Sequence, residues 1–134
     1  MDLEDSSQAG FKTAIEMARS GGARLATIAV LTGADVSADL AAQDVPTRRK
    51  QVEMQAHQRM DRLVRELAPD LKVDQLVIFG DPATEIHAAA KRMGADVVVI
   101  TIKNKSRVGK MLMGSKSQEI ILNSTCPVLA VPKT

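Results

Sequence analysis

Gly94-Ala95-Asp96-Val97-Val98-Val99-Ile100-Thr101 is the stretch whose reading decides the fold. After Gly94 it is apolar and mostly β-branched, broken only by Asp96. A strand with one wet face alternates apolar and polar residues, whereas a parallel strand covered on both faces does not. Immediately upstream, Ile86, Ala89, Ala90 and Met93 recur at helical spacing, and Gly94 supplies the residue that ends helices in the left-handed conformation. A helix leading into a doubly covered strand is the grammar of a parallel α/β sheet.

Working outward, the same alternation continues. Gly80-Asp81-Pro82 is a strand-to-helix turn, with Asp81 as cap and Pro82 as first helical residue, and it follows a strand over 73–79. Before that strand, Pro46 suits the first turn of a long helix whose buried side is Ala56, Met60, Leu63, Val64 and Leu67, closed by Pro69. Residues 32–45 dissolve into Gly, Ala, Asp and Ser and predict a surface loop, and 23–31 predict a strand. At the start, Ser6 or Ser7 caps a helix running to about residue 20, with Phe11, Ala14, Ile15 and Ala18 on one stripe and Gly21-Gly22 as its stop.

Downstream of the central run, a basic loop over 102–110 leads to Gly114-Ser115 and a short helix. There Ser115 and Gln118 have capping-box spacing. A last strand, Val128 to Val131, lies between Pro127 and Pro132. The order α-β-α-β-α-β-α-β, with helical crossovers, gives a parallel sheet with helices on both faces in a single domain over 1–134.

Such a sheet normally opens with a strand, and this chain opens with a helix. Asp2 stands where a first strand would end, and in the flavodoxin-like order that strand is central. Deleting about five buried residues at ~1.5–3 kcal/mol each costs on the order of 10 kcal/mol, against a whole-domain stability of about 5–15 kcal/mol. The expectation is therefore a strand supplied from upstream or by a partner chain. The alternative is a sheet that closes up over four strands.

Composition excludes more than it selects. The 134 residues are 45% hydrophobic and 25% charged, which is globular. No apolar run approaches the ~20 residues of a membrane span, and residues 1–20 carry no secretory signal. A lone Cys126 fits a reducing, cytoplasmic setting. A net charge of +2, with no Trp or Tyr and two Phe, offers no platform for nucleic acid. His57 and His87 lie mid-helix with no third ligand at metal spacing. Arg48, Arg49 and Lys50 open a helix at the end that disfavours positive charge. No carboxylate pair, triad or Walker-type loop is present, so the chain is read as a non-enzyme.

The run from Ala95 to Ser115, with Cys126-Pro127-Val128-Leu129-Ala130-Val131-Pro132, resembles the universal stress protein family. The most specific part is Gly114-Ser115, a short helix, and then Cys126-Pro127-Val128-Leu129. Residues 2–18 are similar to the family's segment after its first strand. Val77-Ile78-Phe79-Gly80-Asp81-Pro82 resembles its third strand and turn, and 88–96 its entry to the fourth strand. The resemblance spans the chain except 32–50. It implies a flavodoxin/Rossmann-like parallel sheet with helices on both faces, here lacking its first central strand.

The resemblance also implies a ligand. Members that bind ATP carry Gly-x2-Gly-x9-Gly-Ser/Thr. Counting back from Gly114 places the first two glycines at Thr101 and Asn104, so only Gly114 and Ser115, with Ser117 two further on, match. Glycine lets backbone N–H groups approach a phosphate, which β-branched Thr101 disfavours and Asn104 tolerates better. Lys103, Lys105, Arg107 and Lys110 crowd the same loop and offer side-chain charge in place of the lost amides, though a solvated basic loop has the same composition. Asp2 resembles the family aspartate near the nucleotide.

Two readings stay open. One is a homodimeric regulator that binds ATP or a related adenine nucleotide through Asp2, Thr101, Lys103, Asn104, Gly114, Ser115 and Ser117. The other is an interaction protein of the same fold that binds no nucleotide. In both, the resemblance implies dimerisation through Val128, Leu129, Ala130 and Val131, an apolar edge strand that invites pairing.

Overall fold

The computed structural model describes residues 8–37, 45–102 and 114–133. In chain order its elements are α1 (Gln8–Gly21), β1 (Leu25–Leu31), α2 (Gly33–Ser37), α3 (Val45–Leu67), β2 (Val73–Phe79), α4 (Pro82–Met93), β3 (Val98–Ile102), α5 (Ser115–Asn123) and β4 (Val128–Pro132). All strand pairing among the described residues is parallel. Leu25 through Leu31 run beside Val73 through Phe79, and Val98 through Ile102 run beside Val128 through Pro132. Among the described residues no ladder joins β1 to β3, so the four strands form two pairs and do not close into one sheet.

Helices link what the strands do not. Phe11 and Ile15 of α1, Ala29 of β1, Met60, Leu63 and Val64 of α3, and Ala68 form one buried cluster. Met60 at its centre is fully buried. Leu31, Val52 and Ala56 form a second, with Val77 and Phe79 packed against it. Beyond this core α1 also packs on β3 and β4, while α4 packs on β1 and on α5. The far end of α1 is tied by Arg19, whose Nε donates to Asp70 Oδ2 at 3.0 Å. That hydrogen bond holds the Asp70 carboxyl below its ordinary range.

The expected stripes are present with exceptions. Phe11, Ile15 and Ala18 are buried on α1, whereas Ala14 is half-buried. On α4, Ala83 and Ala89 are buried but Met93 is 37% exposed. Gly94 ends α4 with φ +62°, as the sequence predicts, and its N–H donates to Lys91 O.

Two expectations are corrected. Residues 33–37 are helical, not loop, because Thr32 and Asp35 cap each other. The Thr32 N–H and hydroxyl both donate to Asp35 Oδ2, at 2.6 and 3.1 Å, and Asp35 N–H donates back to Thr32 O. β3 begins at Val98, and only Ile102 in it is buried. A strand of a two-stranded pair has less cover than one inside a continuous sheet.

At Gly10 a helix approaches a strand closely. Its N–H, one of the amides that a helix's first turn leaves without an internal partner, donates to Thr101 Oγ1 at 2.8 Å. A Cβ at Gly10 would lie 2.5 Å from that oxygen and 3.2 Å from the Thr101 backbone nitrogen. Gly10→Ala is expected to destabilise the chain by about 1–3 kcal/mol through overpacking. Thr101→Val orphans the amide at a similar cost, about 1–3 kcal/mol, whereas Thr101→Ser keeps most of the stability. Urea unfolding midpoints check this, and wild-type midpoints for Gly10→Ala and Thr101→Val would contradict it.

Candidate functional site

Besides α2, which follows β1 directly, three helices start near the carboxyl ends of the strands and bear on the predicted site residues. α1 begins beside the end of β3 through Gly10 and Thr101. α4 begins in the turn that leaves β2, where Asp81 stands. α5 is drawn to that turn by Lys116, whose Nζ lies 2.8 Å from Asp81 Oδ1. In open α/β sheets ligands bind at this edge.

The three starts differ in how their free amides are met. The first turn of α1 receives the Thr101 hydroxyl. At α4, Asp81 is the N-cap: its Oδ2 accepts from the Thr84 N–H at 3.1 Å and from the Thr84 hydroxyl at 3.0 Å. At α5 the N-cap is Gly114, extended at φ −64°, ψ 156°, a residue with no side chain to cap the turn. This corrects the expectation that Ser115 is the cap. The chain turns helical one residue earlier, with Gln118 N–H donating to Gly114 O at 3.1 Å, so Ser115 becomes the first helical residue.

One carboxylate at this edge, Asp81, serves two helices. Asp81 accepts from Lys116, the larger effect, and then from Thr84. Together these hold its carboxyl at about 2, so it is ionised at all physiological pH. Lys116 is raised in turn by its bond to Asp81, and also lies 3.6 Å from Glu119.

Of the sequence-predicted site residues, Gly114, Ser115 and Ser117 share the first turn of α5. Gly114 and Ser115 are exposed and Ser117 is half-buried. Thr101 is half-buried on β3 with its hydroxyl accepting from Gly10. Asp2, Lys103 and Asn104 lie outside the described residues. Sequence reasoning missed Gly10 and Lys116. Gly10 stands in a helix at no turn, and Lys116 meets a carboxylate 35 positions away, so neither had a local signal. Of the basic residues that open α3, Arg49 lies over the Phe79 ring, 4.3 Å from its centroid, which gives this charge a packing role.

A sequence profile described as the Universal stress protein family matches residues 1–132. The chain belongs to the universal stress protein family. A curated universal stress protein G from Shigella flexneri is 34% identical over 104 residues, 76% of this chain and 72% of that one. Solved universal stress proteins share the fold. UspA from Lactobacillus plantarum has a TM-score of 0.71 at 20% identity, covering 95% of this chain and 92% of that one. The Archaeoglobus fulgidus protein, solved in complex with dAMP, has a TM-score of 0.59 at 19% identity, covering 95% and 88%. In this universal stress protein no described helix is long and apolar enough to cross a membrane.

The Asp81–Lys116 pair has a pH signature. The folded carboxyl titrates at about 2, below its unfolded value of about 3.9. Its contribution is therefore complete above pH ~4 and is lost as the pH falls toward 2. Asp81→Asn keeps a capping side chain but loses the charge. The melting temperature of wild type is expected to exceed that of Asp81→Asn at pH 7, with the gap closing between about pH 4 and pH 2. A gap that is constant over that range would contradict the assignment.

Proposed function

We propose that this universal stress protein is a regulatory module that binds an adenine nucleotide, ATP or a relative of it, at the first turn of α5, and acts by binding without turnover. The observation that carries the reading is the open start of α5. Its N-cap is a glycine with no capping side chain, and Ser115 and Ser117 stand in the first turn. Free amides at a helix start, where the macrodipole is positive, attract phosphate. The structural neighbour solved with dAMP supports an adenine nucleotide as the ligand class. In this reading Asp2 and Asn104 line the nucleotide, and Lys103, with Lys105, supplies the charge that the missing glycines would have supplied as amides.

Calorimetric titration with Mg-ATP tests it. Binding near 10 μM, roughly −7 kcal/mol, is expected, weakened severalfold in Lys103→Ala, Lys105→Ala. No heat up to about 1 mM, roughly −4 kcal/mol, from a folded chain would overturn it. One observation favours the second reading, an interaction protein without nucleotide: the Thr101 hydroxyl is engaged by Gly10 at 2.8 Å, where the family loop would have glycine. Thr101→Gly with Asn104→Gly creates ATP affinity under that reading and changes little under the first.

The proposal includes a cytoplasmic homodimer paired through β4. Among the described residues β4 pairs only with β3, and Leu129 on it is 39% exposed. An apolar edge of this kind is a template for a second strand. Leu129→Lys is expected to shift the dimer to monomer in sedimentation velocity at micromolar concentration. A wild-type chain that sediments as a monomer would refute the pairing.

A further inference from the structure

Lys116 is badly placed for a residue with only a structural role. It sits in the first turn of α5, the end of a helix where a cation is unfavourable, and the N-cap of that turn, Gly114, has no side chain. What makes its position tolerable is chiefly the Asp81 carboxylate, 2.8 Å from Nζ, with Glu119 a more distant partner at 3.6 Å that remains when Asp81 is replaced. Asp81 has a second use through its other oxygen, which caps α4 at the Thr84 amide. The carboxylate would therefore stay where it is if Lys116 left. Both partners are well exposed, with side chains 58% and 42% accessible, so the bond opens readily to a competing anion.

Side chains near a helix start lean back over the preceding turn, which puts Nζ within swing of the space in front of the Ser115 amide. We propose that Lys116 is a phosphate-binding residue held in reserve by Asp81, and that a nucleotide phosphate arriving at the start of α5 draws it away. The bond to Asp81 is then an internal competitor that sets the affinity of the site. The inference rests on the nucleotide reading above and adds to it a residue and a brake.

The test is calorimetric titration of the full chain with Mg-ATP and, separately, adenosine, using wild type, Asp81→Asn, Lys116→Met and the double variant. Circular dichroism melts establish that each is folded, and Asn at 81 keeps the cap on α4. Freeing Lys116 is expected to tighten Mg-ATP binding about threefold to tenfold in Asp81→Asn, with a steeper dependence on salt. Lys116→Met weakens it by a similar factor, and the double variant behaves as Lys116→Met. Adenosine, which has no phosphate, binds all four alike.

Unchanged or weaker Mg-ATP binding in Asp81→Asn would overturn the inference while leaving the nucleotide reading intact. A gain that persists in the double variant would also overturn it, because the gain would then come from removing a negative charge and not from releasing a lysine. If neither wild type nor Asp81→Asn binds Mg-ATP, the nucleotide reading itself fails and takes the inference with it.

Discussion

One hydrogen bond, from the Gly10 amide to the Thr101 hydroxyl, joins parts of the chain that no strand pairing connects. Among the described residues the strands form two separate parallel pairs, and α1 lies against both, on β1 through the main core and on β3 and β4 beyond it. The contact is close because residue 10 has no side chain, and it is specific because the Thr101 oxygen meets an amide that the helix itself cannot satisfy. The fit of these two residues, together with the packing of Phe11 and Ile15 into the core, sets how α1 lies between the strand pairs.

That bond changes the meaning of Thr101. By comparison with a glycine-rich loop, a β-branched residue there is a lost ligand contact. In the folded chain it is the cap of a distant helix, and a glycine at 101 would remove that cap while reopening the loop. The site's other half follows a different logic. Asp81 closes the start of α4, Thr101 closes that of α1, and the start of α5 has only a glycine before it. Of these three helix starts, the one whose N-cap residue has no side chain is also the one that carries the matching Gly114-Ser115.

Much of the fold was legible because its signals are local. The strand at Val73–Phe79, the Asp81-Pro82 turn and the stop at Gly94 each declare themselves within a few residues. The helix at Gly33–Ser37 was missed, because the small polar composition around it reads as loop although the Thr32-Asp35 pair that starts it is local. Ser115 misled because Gln118 stands at the right interval for a cap. The backbone begins its helix one residue sooner, which the side chains alone do not reveal. What the sequence could not disclose is pairing over distance. Gly10 with Thr101 and Asp81 with Lys116 are separated by 91 and 35 positions, and nothing at either end marks the other.

The buried residues are unevenly divided, and the division bears on how the molecule breathes. Both clusters of the core lie on α1, β1, α3 and β2, while β3, α5 and β4 contribute only Ile102 and Ile120 to the buried set. Local opening follows the density of such contacts, so β3, α5 and β4 open at lower free energy than α1, β1, α3 and β2 and exchange their amide hydrogens sooner. Thr101, Gly114 and Ser115 lie on or beside these softer elements. A molecule bound there would tighten elements with few buried contacts of their own, and occupancy would register as a change in motion as well as in shape.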